Sequence, residues 1–221
     1  MTPVRGLFVT LEGIEGAGKS TQARRLVRAL EAAGRRVVST REPGGGTPLG
    51  EALRALLKDP SIWRDLGLAE IYLYAAARCH HLESLVLPAL ERGDVVVCDR
   101  FLDSTRVYQG VGRGRPLDLI ERLHALPPLT LRPDRTLLLD LPVEDGLARA
   151  RQRTDEAPSG YDEEDVAFFG RVREGFLEIA RREPERVRIV DGTGPEGAVH
   201  ARLVAALSDL LPGLAPAGNG P

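Results

Sequence analysis

The chain has 221 residues, 43% hydrophobic and 28% charged, with a formal net charge of −2 and an isoelectric point near 6.1. This length supports one sizeable core in a single globular domain, and the balanced charge excludes the broad basic field that nucleic acid as main partner requires. No apolar run reaches the roughly eighteen residues of a membrane span, Glu12 stops the N-terminal apolar run short of a signal peptide, and Cys79 and Cys98 are isolated, so a cytoplasmic protein without membrane contact is expected.

Leu7 to Leu11 reads as a buried strand. Directly after it, Gly13-Ile14-Glu15-Gly16-Ala17-Gly18-Lys19-Ser20 fits G-x-x-x-x-G-K-[ST] without a substitution. Glycines there let the backbone turn tightly and aim successive N–H groups at anionic oxygens, and the helix beginning near Lys19 adds its positive dipole end. Lys19 then reaches the β and γ phosphates of a nucleotide, and the Ser20 hydroxyl ligates Mg²⁺. A glycine-rich turn that binds nothing is the plainer alternative; the strand before and the amphipathic helix after argue against it.

Thr21 to Ala33 forms that helix, with Ala23, Leu26, Val27 and Leu30 on one face, and Arg36 to Thr40 a second strand. Such a β-loop-α-β opening predicts parallel strands joined by right-handed crossovers. The loop Arg41-Glu42-Pro43-Gly44-Gly45-Gly46 leads into a helix carrying Leu49, Leu53, Leu56 and Leu57, which stops before Asp59-Pro60. Leu68 to about Arg92 reads as one helical stretch bent at Pro88. Asp94 to Cys98 is a short apolar burst, a third strand ending in Asp99-Arg100; residues just past strand ends face the ligand crevice of an open α/β sheet. Ser104 to Arg115 mixes Tyr108 and Gln109 with glycines at 110, 112 and 114, and Pro116 starts a helix through Leu126. Thr136 to Leu141 is a fourth strand, Val143 to about Gln152 a helix, and the polar run Thr154 to Asp165 a mobile flap. Glu163 to Arg182 is helical, Val187 to Val190 a fifth strand and Gly197 to Leu211 a closing helix. One domain thus covers 1–211 with a lid at about 149–165, and the tail 212–221, rich in Gly, Pro and Ala, is expected to be disordered.

A carboxylate inside a phosphate cradle would be repelled by the phosphates, so Glu15 should point toward a second ligand such as an acceptor hydroxyl; a solvated loop carboxylate is the alternative. Asp99 offers an acid near the Mg²⁺ and Arg100 a fork for a phosphate, unless the two form only a surface ion pair.

Several stretches, in order, resemble the thymidylate kinase family: Leu11 to Thr21, Thr40-Arg41-Glu42-Pro43-Gly44-Gly45, Tyr74 with Arg78, Asp99-Arg100, Tyr108-Gln109-Gly110 and Arg132-Pro133-Asp134. The likeness spans about residues 5 to 210. It implies an α/β P-loop NTPase fold of nucleoside-monophosphate-kinase type, a five-stranded parallel sheet flanked by helices. It also implies transfer of the γ-phosphoryl of ATP to dTMP with Mg²⁺, in dTTP biosynthesis, by a homodimer whose interface the apolar helix around Ile71 to Leu90 would supply. By the same resemblance Tyr74 stacks on thymine, Arg78 donates to its O4, Gln109 reads its N3 edge with Thr105 nearby, Tyr108 crowds the sugar 2′ carbon, and Glu15 meets the 3′-hydroxyl. Arg41, Arg54 and Arg100 match contacts to the acceptor phosphate, with Glu42 and Pro43 shaping that loop.

The phosphate loop carries no arginine, as in the bacterial form whose lid supplies the catalytic one. Within Gly146 to Arg153, Arg153 is expected to reach the transferring phosphoryl and Arg149 to lie near the ATP end, the two sharing a helix face. Two departures stand out: the third glycine, Gly46, shifts the register of Arg54, and Ser159-Gly160 replace an Asp-Arg pair of the family. Asp191-Gly192-Thr193 resembles the loop around adenine. His80, His81, His124 and His200 have no ligand spacing and read as surface or packing residues. The rival readings are another nucleoside monophosphate kinase, a regulatory nucleotide switch, which predicts an Asn-Lys-x-Asp motif that the sequence lacks, and a nucleic-acid-binding ATPase, which needs a basic stripe that the balanced charge does not suggest.

Overall fold

The computed structural model describes residues 6–152, 161 and 164–216. Among these, β1 (Leu7–Glu12), β2 (Val37–Arg41), β3 (Val95–Asp99), β4 (Arg135–Asp140) and β5 (Val187–Asp191) form one sheet in the order β2-β3-β1-β4-β5, every pair parallel. The central strands β1, β3 and β4 are near-continuous buried runs because helices cover both faces, whereas the edge strands β2 and β5 are partly exposed. Val9 and Leu11 pack with Leu26 and Leu30 of α1 (Lys19–Ala32), whereas Phe8 faces the other side with Val96, Cys98 and Ile71 of α3 (Ala69–His81). From central β1 the order runs outward in opposite directions, which opens a crevice at the C-terminal strand ends. The register pairs Leu11 with Asp99, Asp99 with Arg41, and Asp140 with Asp191, so Arg41 lies beside Asp99 and Asp140 beside Asp191 along that edge.

The predicted elements are present with displaced ends. In α2 (Pro48–Lys58), Thr47 Oγ1 caps the start by accepting from Gly50 N at 3.1 Å, and of the expected apolar face Leu57 is buried while Leu49 and Leu56 remain 51% and 38% exposed. After α3 the helix widens into π turns over Leu82–Val86 before α4 (Leu87–Glu91). Pro88 has no N–H and its ring crowds the carbonyl four residues back, and just before it Leu87 N bonds five residues back to Leu82 O. Within the helical stretch from Ile71 to Leu90, the side chains of Ile71, Leu82, Val86, Ala89 and Leu90 pack into the core, and Leu68 and Tyr72 are the large exposed apolar side chains here.

The glycine-containing stretch after β3 is helical: α5 (Leu102–Ser104) runs into π turns over Thr105–Gly112, followed by a shorter α6 (Leu117–Leu123) than expected. α7 (Val143–Arg151) lies as predicted, α8 (Val166–Arg182) begins late because Asp165 Oδ1 accepts from Phe168 N at 2.7 Å, and α9 (Glu196–Ala205) gives way to turns that bury Leu207 and Leu211. Arg153, most of the expected lid and residues 217–221 of the tail lie outside the described residues. No described helix is long and apolar enough to cross a membrane.

Candidate active site

Between β1 and α1, Gly13 and Gly16 take φ of 140° and 71°. A Cβ on Gly13 would stand 2.5 Å from the Leu139 carbonyl oxygen, and one on Gly16 1.8 Å from that of Gly146. The loop is therefore pressed between β4 and α7, where only glycine fits. Lys19 Nζ folds back onto the carbonyls of Gly13 at 3.1 Å and Ile14 at 2.8 Å. Burial, then the charge of Arg100, pulls its pKa down to about 8. Ile14 and Ala17 bury their side chains in the core, which leaves only their backbone for a nucleotide, and Thr21 Oγ1 accepts from Arg24 at 3.3 Å. Beside the loop, Arg149 Nη1 donates to Gly192 O at 3.1 Å, and a Cβ on Gly192 would be 3.7 Å from Ala17 O, so the Asp191–Thr193 turn adjoins the phosphate loop.

Ser20 Oγ donates to Asp99 Oδ2 at 2.6 Å, which brings a hydroxyl and a carboxylate oxygen together at the end of β3. Among the described residues no three His, Cys, Asp or Glu side chains gather into a metal cluster. A hard pair that leaves most of a coordination shell to water and phosphate fits Mg²⁺.

A cavity of about 450 Å³ opens next to the loop. Its wall contains Glu15, Arg41, Glu42, Pro43, Arg54, Tyr74, Arg78, Arg100, Thr105, Tyr108 and Gln109, so the expected acceptor-side residues come together. The N–H of Gly46 donates to Glu51 Oε1 at 3.0 Å, and Arg54 lines the cavity with its Nη1 donating to Pro43 O at 3.1 Å. Arg41 is more exposed and pairs with Glu51 at 3.1 Å.

Arg100 connects the two halves of the site. Its φ of 69° is left-handed, a strained value for a non-glycine residue that clusters at functional positions. Nη1 donates to Gly13 O and Ser104 Oγ, both at 3.1 Å, while Nη2 donates to Glu15 Oε1 at 2.8 Å and Tyr108 Oη at 3.1 Å.

Arg78 is 2% exposed, which excludes a solvated helix arginine. Its Nε meets Glu42 Oε2 at 2.7 Å, Nη2 donates to Thr105 Oγ1 at 3.0 Å, and Nη1 lies 2.7 Å from His124 Nε2. Because His124 Nδ1 faces the Ile120 carbonyl at 2.7 Å, it carries the proton and Nε2 accepts from Arg78. Burial, then Arg78, pulls the His124 pKa down to about 4. The other Glu42 oxygen meets His81 Nδ1 at 2.9 Å, and although burial opposes its charge, Arg78 and His81 hold this carboxyl below its ordinary value. Among the described residues, three of the five Arg78 N–H groups are engaged, which leaves two for a ligand. Burial, then Glu70, pushes the Tyr74 phenol up to about 12 and keeps the ring neutral.

Sequence reasoning missed Arg151, Tyr161 and Glu164 in the cavity wall. Helical spacing grouped Arg149 with Arg153; it had no means of knowing that the Gly146–Ala150 side of α7 meets the phosphate loop, a Cβ on Gly16 coming 3.1 Å from Ala150 N. His81 and His124 are packing residues as expected, yet both bond to the groups that hold the site.

The family model described as thymidylate kinase matches residues 11–203. A thymidylate kinase of Desulfosudis oleivorans is 48% identical over 206 residues, covering 91% of this chain and 96% of the relative. One of Methylococcus capsulatus is 49% identical over 214 residues, covering 96% and 99%. The chain belongs to the thymidylate kinase family. The crystal structure of thymidylate kinase from Ehrlichia chaffeensis matches with a TM-score of 0.72 at 33% identity, over 92% of this chain and 99% of that one. This membership agrees with the all-parallel sheet and with the single cavity wall that joins phosphate loop and arginines.

Proposed function

We propose that this chain transfers the γ-phosphoryl of ATP to dTMP, giving ADP and dTDP on the route to dTTP. The observation that carries this reading, beside family membership, is the position of Arg100: it bonds to the phosphate loop at Gly13 and Glu15 and to Tyr108 in the acceptor wall.

The acceptor is a phosphate monoester whose second pKa is about 6, so near neutral pH it attacks as a dianion and needs no general base. A bond forms between its oxygen and the γ-phosphorus, the bond to the β–γ bridging oxygen breaks, and ADP leaves. What the chain supplies is alignment of two anions and neutralisation of their charge. Lys19 and the loop N–H groups take the donor phosphates, and Arg41, Arg54 and Arg100 take the acceptor phosphate. Arg153 from the lid reaches the transferring group, with Arg149 at the ATP end. Ser20 and Asp99 would hold Mg²⁺, which when bound would neutralise charge on the donor phosphates. Tyr74 stacks on the base, Arg78 donates to O4, Gln109 and Thr105 meet its N3 side, and Tyr108 excludes a 2′-hydroxyl.

The enzyme works in the cytoplasm as a homodimer, for which exposed Leu49, Leu56, Leu68 and Tyr72 on and beside α2 and α3 offer apolar surface. Incubation with ATP, Mg²⁺ and dTMP should release ADP and dTDP in equal amounts; no dTDP would overturn the reading.

A further inference from the structure

Glu70 stands one helical turn before Tyr74 on α3, is 2% exposed, and has no part in the steps above. Its Oε1 receives Arg113 Nη1 at 2.9 Å, Gln109 Nε2 at 3.1 Å and Tyr161 Oη at 3.1 Å. A carboxylate paired with arginine only accepts, so the Gln109 amide can meet it only through nitrogen. Tyr161, whose O–H donates to Glu70, accepts from the same Gln109 nitrogen. Both N–H groups of that amide are thereby engaged and the amide cannot turn over. Its oxygen, without a bond among the described residues, is left for the cavity that Gln109 lines.

We propose that Glu70 is a positioning residue for base selection: it holds Gln109 with the carbonyl oxygen toward the acceptor base. This rests on the reading of dTMP as acceptor and of Gln109 at its N3 edge. Thymine and uracil carry N3–H and satisfy an acceptor; cytosine presents a bare N3 lone pair and is repelled. A freely turning amide would offer either face and lose most of that discrimination.

The test compares dTMP with 5-methyl-dCMP, which share the methyl group and differ only along the N3 and C4 edge. In Glu70→Ala the kcat/KM preference for dTMP falls about tenfold or more, mainly through KM. Glu70→Gln keeps the preference, because Arg113, purely a donor, selects the new amide oxygen and that oxygen accepts from Gln109. An unchanged preference in Glu70→Ala overturns the proposal, as does an equal loss in Glu70→Gln. Should Glu70→Ala fail to fold, Gln109→Met removes the amide itself and must lose the same preference; retention there is equally fatal. Failure of the wild-type enzyme to use dTMP would instead overturn the function on which the inference rests.

Discussion

Arg100 Nη2 stands 2.8 Å from Glu15 Oε1, an ion pair that ties the end of β3 to the phosphate loop. It answers the charge problem of an acid among phosphates: Glu15 is turned onto the acceptor wall. If Glu15 meets the 3′-hydroxyl, a charged hydrogen bond of about 1.5–3 kcal/mol makes the wild type prefer dTMP over its 3′-deoxy analogue roughly ten- to a hundredfold. In Glu15→Ala that preference should fall toward unity in kcat/KM; a ratio equal to wild type would remove Glu15 from sugar recognition.

Arg153→Ala should lower kcat by roughly 10³ or more while the KM for dTMP stays within a few fold, as expected of an arginine that acts in the transition state. Arg151, in the cavity wall, is the internal comparison. A large loss in Arg151→Ala with none in Arg153→Ala would transfer the catalytic role to Arg151.

Lys19 titrates near 8 in the free protein. Only its charged form attracts phosphate, so MgATP affinity should be steady below about pH 8 and weaken above it, by up to tenfold per pH unit. Direct binding titrations from pH 7 to 9.5 check this, and a flat affinity over that range would contradict it.

The His124 pKa of about 4 lies below its ordinary 6.5. Between these values the unfolded chain binds the extra proton, so the stability contribution is complete above pH 6.5 and is lost as pH falls toward 4. About 2 kcal/mol should be missing at pH 5 for this reason. His124→Gln, which keeps a neutral acceptor for Arg78, should show a smaller loss when urea midpoints at pH 7 and pH 5 are compared; an equal loss would place the acid sensitivity elsewhere.

The phosphate loop and the strand-end pair Asp99-Arg100 were legible because their chemistry is local: fixed spacing within a few residues determines the geometry. Arg78 was legible as a candidate, but its holding groups, Glu42, Thr105 and His124, come from three distant segments that periodicity cannot connect. The stretch around Gln109 was opaque for another reason. Glycines read as breakers, yet Gly110 and Gly112 sit inside a helical run as spacers: a Cβ on Gly110 would come 2.3 Å from Leu117, and one on Gly112 2.7 Å from Phe168. Turns of π type, there and before Pro88, also shift the 3.6-residue period on which helix reading depends.

The most direct measurement is ADP release with ATP and Mg²⁺ across a panel of dTMP, dUMP, dCMP and dGMP. The enzyme should use dTMP best, dUMP detectably but roughly ten- to a hundredfold less well, as one missing methyl allows, and dCMP and dGMP near background. Preferential consumption of a different monophosphate, or of none, would contradict the account.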